Sequence, residues 1–92
     1  MRLDKFLKTS RIIKRRPVAK MVVDSGKAII NGKVAKSGTQ VKENDILEIE
    51  YYDKFFKFKI LEVPSGNVTK DKSGDLVKVL EVKDLKIENE EN

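Results

Sequence analysis

The tightest constraint in this chain is the dipeptide Asn31–Gly32, set between the apolar runs Ala28-Ile29-Ile30 and Lys33-Val34-Ala35. Both residues tolerate positive φ, which a two-residue hairpin turn demands, so the pair predicts two antiparallel strands closing on one another. In that register Ile30 faces Lys33, Ile29 faces Val34, Ala28 faces Ala35 and Lys27 faces Lys36. The last pairing opposes like charges, which is mildly unfavourable unless an anion lies nearby. After a polar turn at Glu43 to Asp45, alternation predicts a strand with Leu47, Ile49 and Tyr51 on one side. The run "KFFKFKILEV" predicts another, with Phe56, Phe58 and Ile60 on one face and Lys57 and Lys59 on the other. The segment from Pro64 to Asp75 reads as loop with room for a helical turn. "LVKVLEVK" reads as a last strand, and the acidic end "NEEN" is expected to fray.

Two helices precede the hairpin. "RLDKFLK" puts Leu3, Phe6 and Leu7 at helical spacing, with Arg2 and Lys5 outward and Asp4–Lys8 as an acid-first i, i+4 pair. So short a helix needs the rest of the domain to hold it. Pro17, with its fixed φ and missing N–H, suits the first position of the next helix, leaving Arg16 at the cap. Along "PVAKMVVDSG" the residues Val18, Ala19, Met21, Val22 and Val23 share one arc, Lys20 and Asp24 face away, and Gly26 ends the helix. The predicted fold class is α+β: two N-terminal helices packed on a small, mainly antiparallel sheet. Residues 1–63 form the body. Residues 64–92, loop, last strand and acidic tail, are expected to belong to the same single domain.

Composition narrows the function. Ninety-two residues leave no room for a catalytic domain beside a binding one. The chain has no histidine and no cysteine, which removes the usual general base, thiolate chemistry and most metal sites. The expectation is a protein that is not an enzyme and carries no cofactor or metal. No apolar run is long enough to span a bilayer, and the first residues lack the apolar stretch of a signal peptide, so a cytoplasmic location without membrane contact is expected.

The net charge of +5 conceals a division. Residues 1–42 hold twelve Lys/Arg against Asp4 and Asp24, while residues 43–92 hold eight against thirteen Asp/Glu. Such asymmetry points to a polyanionic partner for the first half, the acidic half serving to limit indiscriminate sticking or simply to aid solubility. The densest cluster is "RIIKRRPVAK". Burial of Ile12 and Ile13, together with packing of the following helix, would force Arg11, Lys14, Arg15 and Arg16 outward beside Lys20, Arg2 and Lys5. Arginine's planar fork suits bidentate phosphate contact. Composition alone leaves two other readings open, a solvated basic face and a localisation signal.

Taken in order, "RLDKFL", "SR", "KRR", a helix closing at Gly26, "ING", Lys36 and "VKENDIL" resemble the S4 (S-four) RNA-binding domain over residues 1 to about 52. The short chain resembles the stand-alone bacterial members of that family: the fifteen-kilodalton ribosome-associated heat-shock type and, more closely, the RqcP quality-control type. The long basic helical tail of the heat-shock type has no counterpart here. Two departures stand out: Asn44–Asp45 replaces the usual Gly-Asp, and Pro17 replaces a small or polar residue at the helix start. Asparagine tolerates left-handed backbone and proline fits a helix start, so both sites should keep their shape.

The resemblance implies a non-catalytic clamp that binds large ribosomal subunits obstructed by peptidyl-tRNA. It implies contact with large-subunit rRNA and the P-site tRNA, in company with the tailing factor RqcH during C-terminal alanine addition, and action as a monomer. By position it implies phosphate contacts at Arg2, Lys5, Arg11, Lys14, Arg15, Arg16, Lys20 and Lys36, with the backbone of Asn31 and Gly32 close to RNA. Shape, phosphates and 2′-hydroxyls are what an A-form surface offers such a face. Three rival readings remain: recycling of free large subunits, the RNA-targeting module of a modifying enzyme, and a protein-only adaptor using the apolar strands. The aromatics Tyr51, Tyr52, Phe55, Phe56 and Phe58 could stack on unpaired bases, but alternation assigns most to the core and leaves Tyr52 or Phe55, on the outer face, as the exposed candidates. Glu48, Glu50 and Asp53 read as a solvated strand face.

Overall fold

In a computed structural model that describes residues 1–66 and 68–85, helix α1 (Leu3–Thr9) lies at the bottom of the core. Leu3, Phe6 and Leu7 are fully buried, as their spacing predicts. No side chain caps this helix. Its first N–H groups, which have no intrahelical partner, are satisfied from afar instead. Leu3 N–H donates to the Thr39 carbonyl at 2.8 Å and Asp4 N–H to the Ser37 carbonyl at 3.2 Å, while Val41 N–H donates to the Met1 carbonyl at 3.0 Å. The loop after the hairpin is thereby stitched to the chain's beginning.

At the other end of α1, Ser10 N–H bonds Phe6 O and Ile13 N–H bonds Leu7 O at 3.1 Å. Between them Arg11 adopts φ +64°, a left-handed position that glycine usually takes at a helix C-terminus. Ile13 is buried and Ile12 half-buried, so the connector is held on both sides. Helix α2 (Arg16–Val22) begins one residue earlier than proline placement suggests, with Arg15 at the cap and Pro17 inside the first turn. Ala19 and Val23 are buried and Val18 and Val22 half-buried, but Met21 is 64% exposed, contrary to the arc drawn from periodicity. The arc is narrower because α2 packs chiefly on α1 and leaves its Met21 flank uncovered. A wider helical turn spans Val23–Lys27, and within it Gly26 leaves the helical conformation at φ +84°.

Five strands follow: β1 (Ala28–Ile30), β2 (Lys33–Val34), β3 (Ile46–Tyr51), β4 (Lys54–Ile60) and β5 (Val77–Asp84). They form one sheet in the order β2-β1-β3-β4-β5, every neighbouring pair antiparallel. The hairpin register is the expected one, Ile29 opposite Val34 and Ile30 opposite Lys33. Ala35 N–H still reaches Ala28 O at 2.8 Å, but β2 ends at Val34, so no Lys27–Lys36 ladder pair forms. Leu47, Ile49, Phe58 and Ile60 are buried beneath the helices. Asn44 takes φ +73°, the left-handed turn that the asparagine was expected to tolerate. Between β4 and β5, a short helix α3 (Lys70–Ser73) and a single tight turn bring Leu76 into the core. The expected fraying of the acidic end lies outside the described residues.

Candidate nucleic-acid interface

The structure sorts the cations of the first half into separate arrangements. One centres on Asp4, whose side chain is only 3% exposed. Its expected partner Lys8 points to solvent, and Asp4 instead accepts from two arginines. Arg2 Nε donates to Oδ1 at 3.2 Å and Arg2 Nη2 to Oδ2 at 3.4 Å, while Arg16 Nε approaches Oδ2 at 3.5 Å. Lys5 N–H also donates to Oδ1 at 2.8 Å. A carboxylate taken out of water needs charged partners and full hydrogen bonding, and Asp4 has both. Arg2 and Arg16 remain 47% and 45% exposed. One buried negative charge thus orients two half-exposed guanidiniums and leaves the trio with a net positive charge. The Arg2 guanidinium carbon comes within 3.9 Å of where a Cβ on Gly38 would stand, which places it over the loop that caps α1.

Lys20, one turn beyond Arg16, is tied to Asp24 at 2.7 Å. Asp24 also accepts from Ser37 N–H at 3.3 Å, linking the end of α2 to the same loop. The Lys20 hydrogen bond, aided by Ser37, holds the Asp24 carboxyl below the usual 3.8 against the opposing effect of burial. Lys36 is exposed in that loop, where its N–H donates to Thr39 Oγ1. Lys5 is half-buried.

Arg11, Lys14 and Arg15 form a second arrangement. All three are exposed, and among the described residues none enters an ion pair. They line an open groove together with Ile12, Val18, Met21, Tyr51 and Tyr52. Arg11 and Lys14 also border a smaller depression with Lys8 and Lys70.

The hairpin turn forms a third. Asn31 spends both ends of its amide internally: Nδ2 donates to Asp45 and Oδ1 accepts from Ile46 N–H, each at 2.9 Å. Gly32, at φ +86°, completes the turn, and both residues are exposed. What the turn can present is therefore main chain, beside Lys33 and Lys42, which line the same shallow groove.

Sequence reasoning missed the organising role of Asp4, the placement of Tyr51 and Tyr52 in one groove with the connector cations, and Lys8, Lys33, Lys42 and Lys70. Asp4 left one trace, since at 100° per residue it falls beside Leu7 at the edge of the buried stripe. The lysines left none. Phe55, expected on the outer face, is half-buried with the Lys83 ammonium 5.9 Å from its ring centre. No group of three or more metal-binding side chains is found among the described residues. Nor is any of their helices long and apolar enough to cross a membrane.

A scaffold of two helices packed on a small antiparallel sheet is the architecture of the S4 domain class, and residues 1–47 match that family. Over 74 residues the chain is 50% identical to the RQC P-site tRNA stabilizing factor of Streptococcus pneumoniae, covering 80% of this chain and 84% of that protein. The RQC P-site tRNA stabilizing factor of Halalkalibacterium halodurans is 48% identical over 79 residues, 86% of this chain and 89% of that one. The trimeric structure of Vibrio cholerae heat shock protein 15 superposes with a TM-score of 0.77 at 25% identity, covering 87% and 81% of the two chains. The chain belongs to the S4-domain family and, within it, to the family of RQC P-site tRNA stabilizing factors.

Proposed function

We propose that this protein is a non-catalytic RNA clamp of ribosome-associated quality control. It binds large ribosomal subunits that still hold peptidyl-tRNA, touching rRNA and the P-site tRNA together. The observation that carries the reading is the Asp4-centred pair of arginines. Two guanidiniums held in fixed relative positions by one buried carboxylate make a preorganised phosphate receptor, which loses little side-chain freedom on binding. Arg11, Lys14 and Arg15 supply further charge from a connector fixed by Ile13. Lys5, Lys20, Lys36 and the main chain at Asn31–Gly32 complete the contact set. Holding two RNA segments at once raises apparent affinity by effective concentration, so the complex still carrying tRNA becomes the preferred target. The names of the relatives support that choice of tRNA site. We infer that the protein acts as a cytoplasmic monomer and supports alanine tailing by RqcH, with direct contact to RqcH not required.

The likeness to heat shock protein 15 favours a second reading, the recycling of free large subunits. Affinity purification of the tagged full chain separates the two. Quality control predicts large subunits carrying tRNA in the eluate and loss of alanine tails in a deletion strain. Recovery of large subunits without tRNA would support recycling, and absence of rRNA would overturn both.

A further inference from the structure

Tyr51 and Tyr52 occupy a position the clamp reading does not use. Successive residues of a strand point to opposite faces, so Tyr52 should face away from Tyr51. It does not. Tyr52 and Asp53 both take left-handed backbone, φ +55° and +56°, and the turn swings the second ring beside the first. The ring centroids lie 4.5 Å apart with planes inclined at 36°, and both tyrosines line the same groove as Arg11, Lys14 and Arg15. Tyr51 packs against the core and is half-buried. Tyr52 is 81% exposed, so its ring does little to stabilise the fold. A bulky residue in the left-handed region is a conformational outlier where asparagine or glycine fits better. A ring kept there at the expense of backbone strain points to a role outside folding.

We propose that this groove binds one unpaired nucleotide of the RNA, its base stacked on Tyr52 and its phosphate held by Arg11, Lys14 or Arg15. The proposal rests on the RNA-clamp reading and adds a preference for unpaired over fully duplex RNA. The chemistry selects this occupant. Aromatic faces stack on any base, and cations lining the same groove meet the flanking phosphates. Among the described residues no carboxylate lines the groove to repel them. A base within a duplex cannot offer its face to a ring, so the site discriminates by pairing state and not by sequence.

The chain has two tyrosines and no tryptophan, so tyrosine emission reports this groove alone. Titration of the full chain with a short single-stranded oligoadenylate should quench that emission, and an RNA duplex of equal phosphate number should not. Tyr52→Asn removes the ring and suits the backbone. It should keep or raise the melting temperature while weakening single-strand binding about tenfold to a hundredfold; duplex affinity and its salt slope should stay unchanged. Tyr52→Trp should retain binding. Equal affinity of wild type and Tyr52→Asn for single strands would overturn the stacking site while intact duplex binding left the clamp standing. If the wild type binds neither RNA nor ribosomes, both readings fall.

Discussion

Asp4 and Asp24 each hold cations, yet burial separates what they do. Asp4 is almost entirely enclosed, so losing its charge leaves Arg2 and Arg16 without an anchor and removes hydrogen bonds that water cannot replace. Asp4→Asn keeps the size of the side chain and is expected to cost about 1–3 kcal/mol of stability. It should also raise the dissociation constant for large subunits, measured by thermal unfolding beside a binding titration. An unchanged melting temperature would show that the carboxylate does not organise the pair. Asp24 pairs with Lys20 at the surface, where water and salt screen the attraction. Its carboxyl is held below 3.8 in the fold. The small stability it contributes is therefore present above about pH 4 and is lost as pH falls through the lowered folded value. Urea midpoints of wild type and Asp24→Asn should converge at the acid end of that window and separate above it.

Turns and connectors position the site as much as helices do. Gly26 and Gly32 sit at φ +84° and +86° with open space around them, so an alanine there meets no clash and suffers only the backbone penalty. Each Gly→Ala change should cost about 1–2 kcal/mol. Urea unfolding that shows no loss would mean that the turn relaxes to a different type. The connector between α1 and α2 depends on Ile13, the buried residue between the exposed Arg11 and Lys14. Ile13→Ala is expected to destabilise by about 2–5 kcal/mol. It should also loosen the cationic ridge, so ribosome binding falls more than in a core variant of equal stability loss remote from the connector, such as Ile60→Ala. Equal binding losses in the two variants would mean that the ridge does not need its anchor. At the sheet's far edge, β5 exposes Val79, Leu80 and Val82, flanked by Lys78 and Lys83 and interrupted by Glu81. Charges of this kind guard an edge strand against pairing with other chains.

For the whole molecule, the first 42 residues carry the positive surplus, and the loop that caps α1 gathers Arg2 and the Lys20–Asp24 pair, while Arg11, Lys14 and Arg15 line a separate groove. Binding through about five phosphates should make log K fall against log salt with a slope near −4. Reversing Arg11 and Arg15 to glutamate should flatten that slope without unfolding the protein; a flat response in the wild type would remove the RNA reading. The α+β order, the hairpin register, the buried stripe of α1 and the stop at Gly26 were legible in the sequence because each depends on residues a few positions apart. Periodicity, turn chemistry and charge counts are local quantities. The pairing of cations with carboxylates is local only in part: Lys20 meets Asp24 one turn away, but Arg16 reaches Asp4 from another helix. Asp4 was expected to pair with Lys8 one turn away, but packing of α2 on α1 delivered Arg16 and the capping loop placed Arg2. Lys70 came to the side of Lys8 and Arg11 only through the return of the chain after β4. Tyr52 joined Tyr51 because a turn overrode strand alternation. The Arg16 and Lys70 contacts depend on distances set once the core has closed, and chain neighbours carry no record of them.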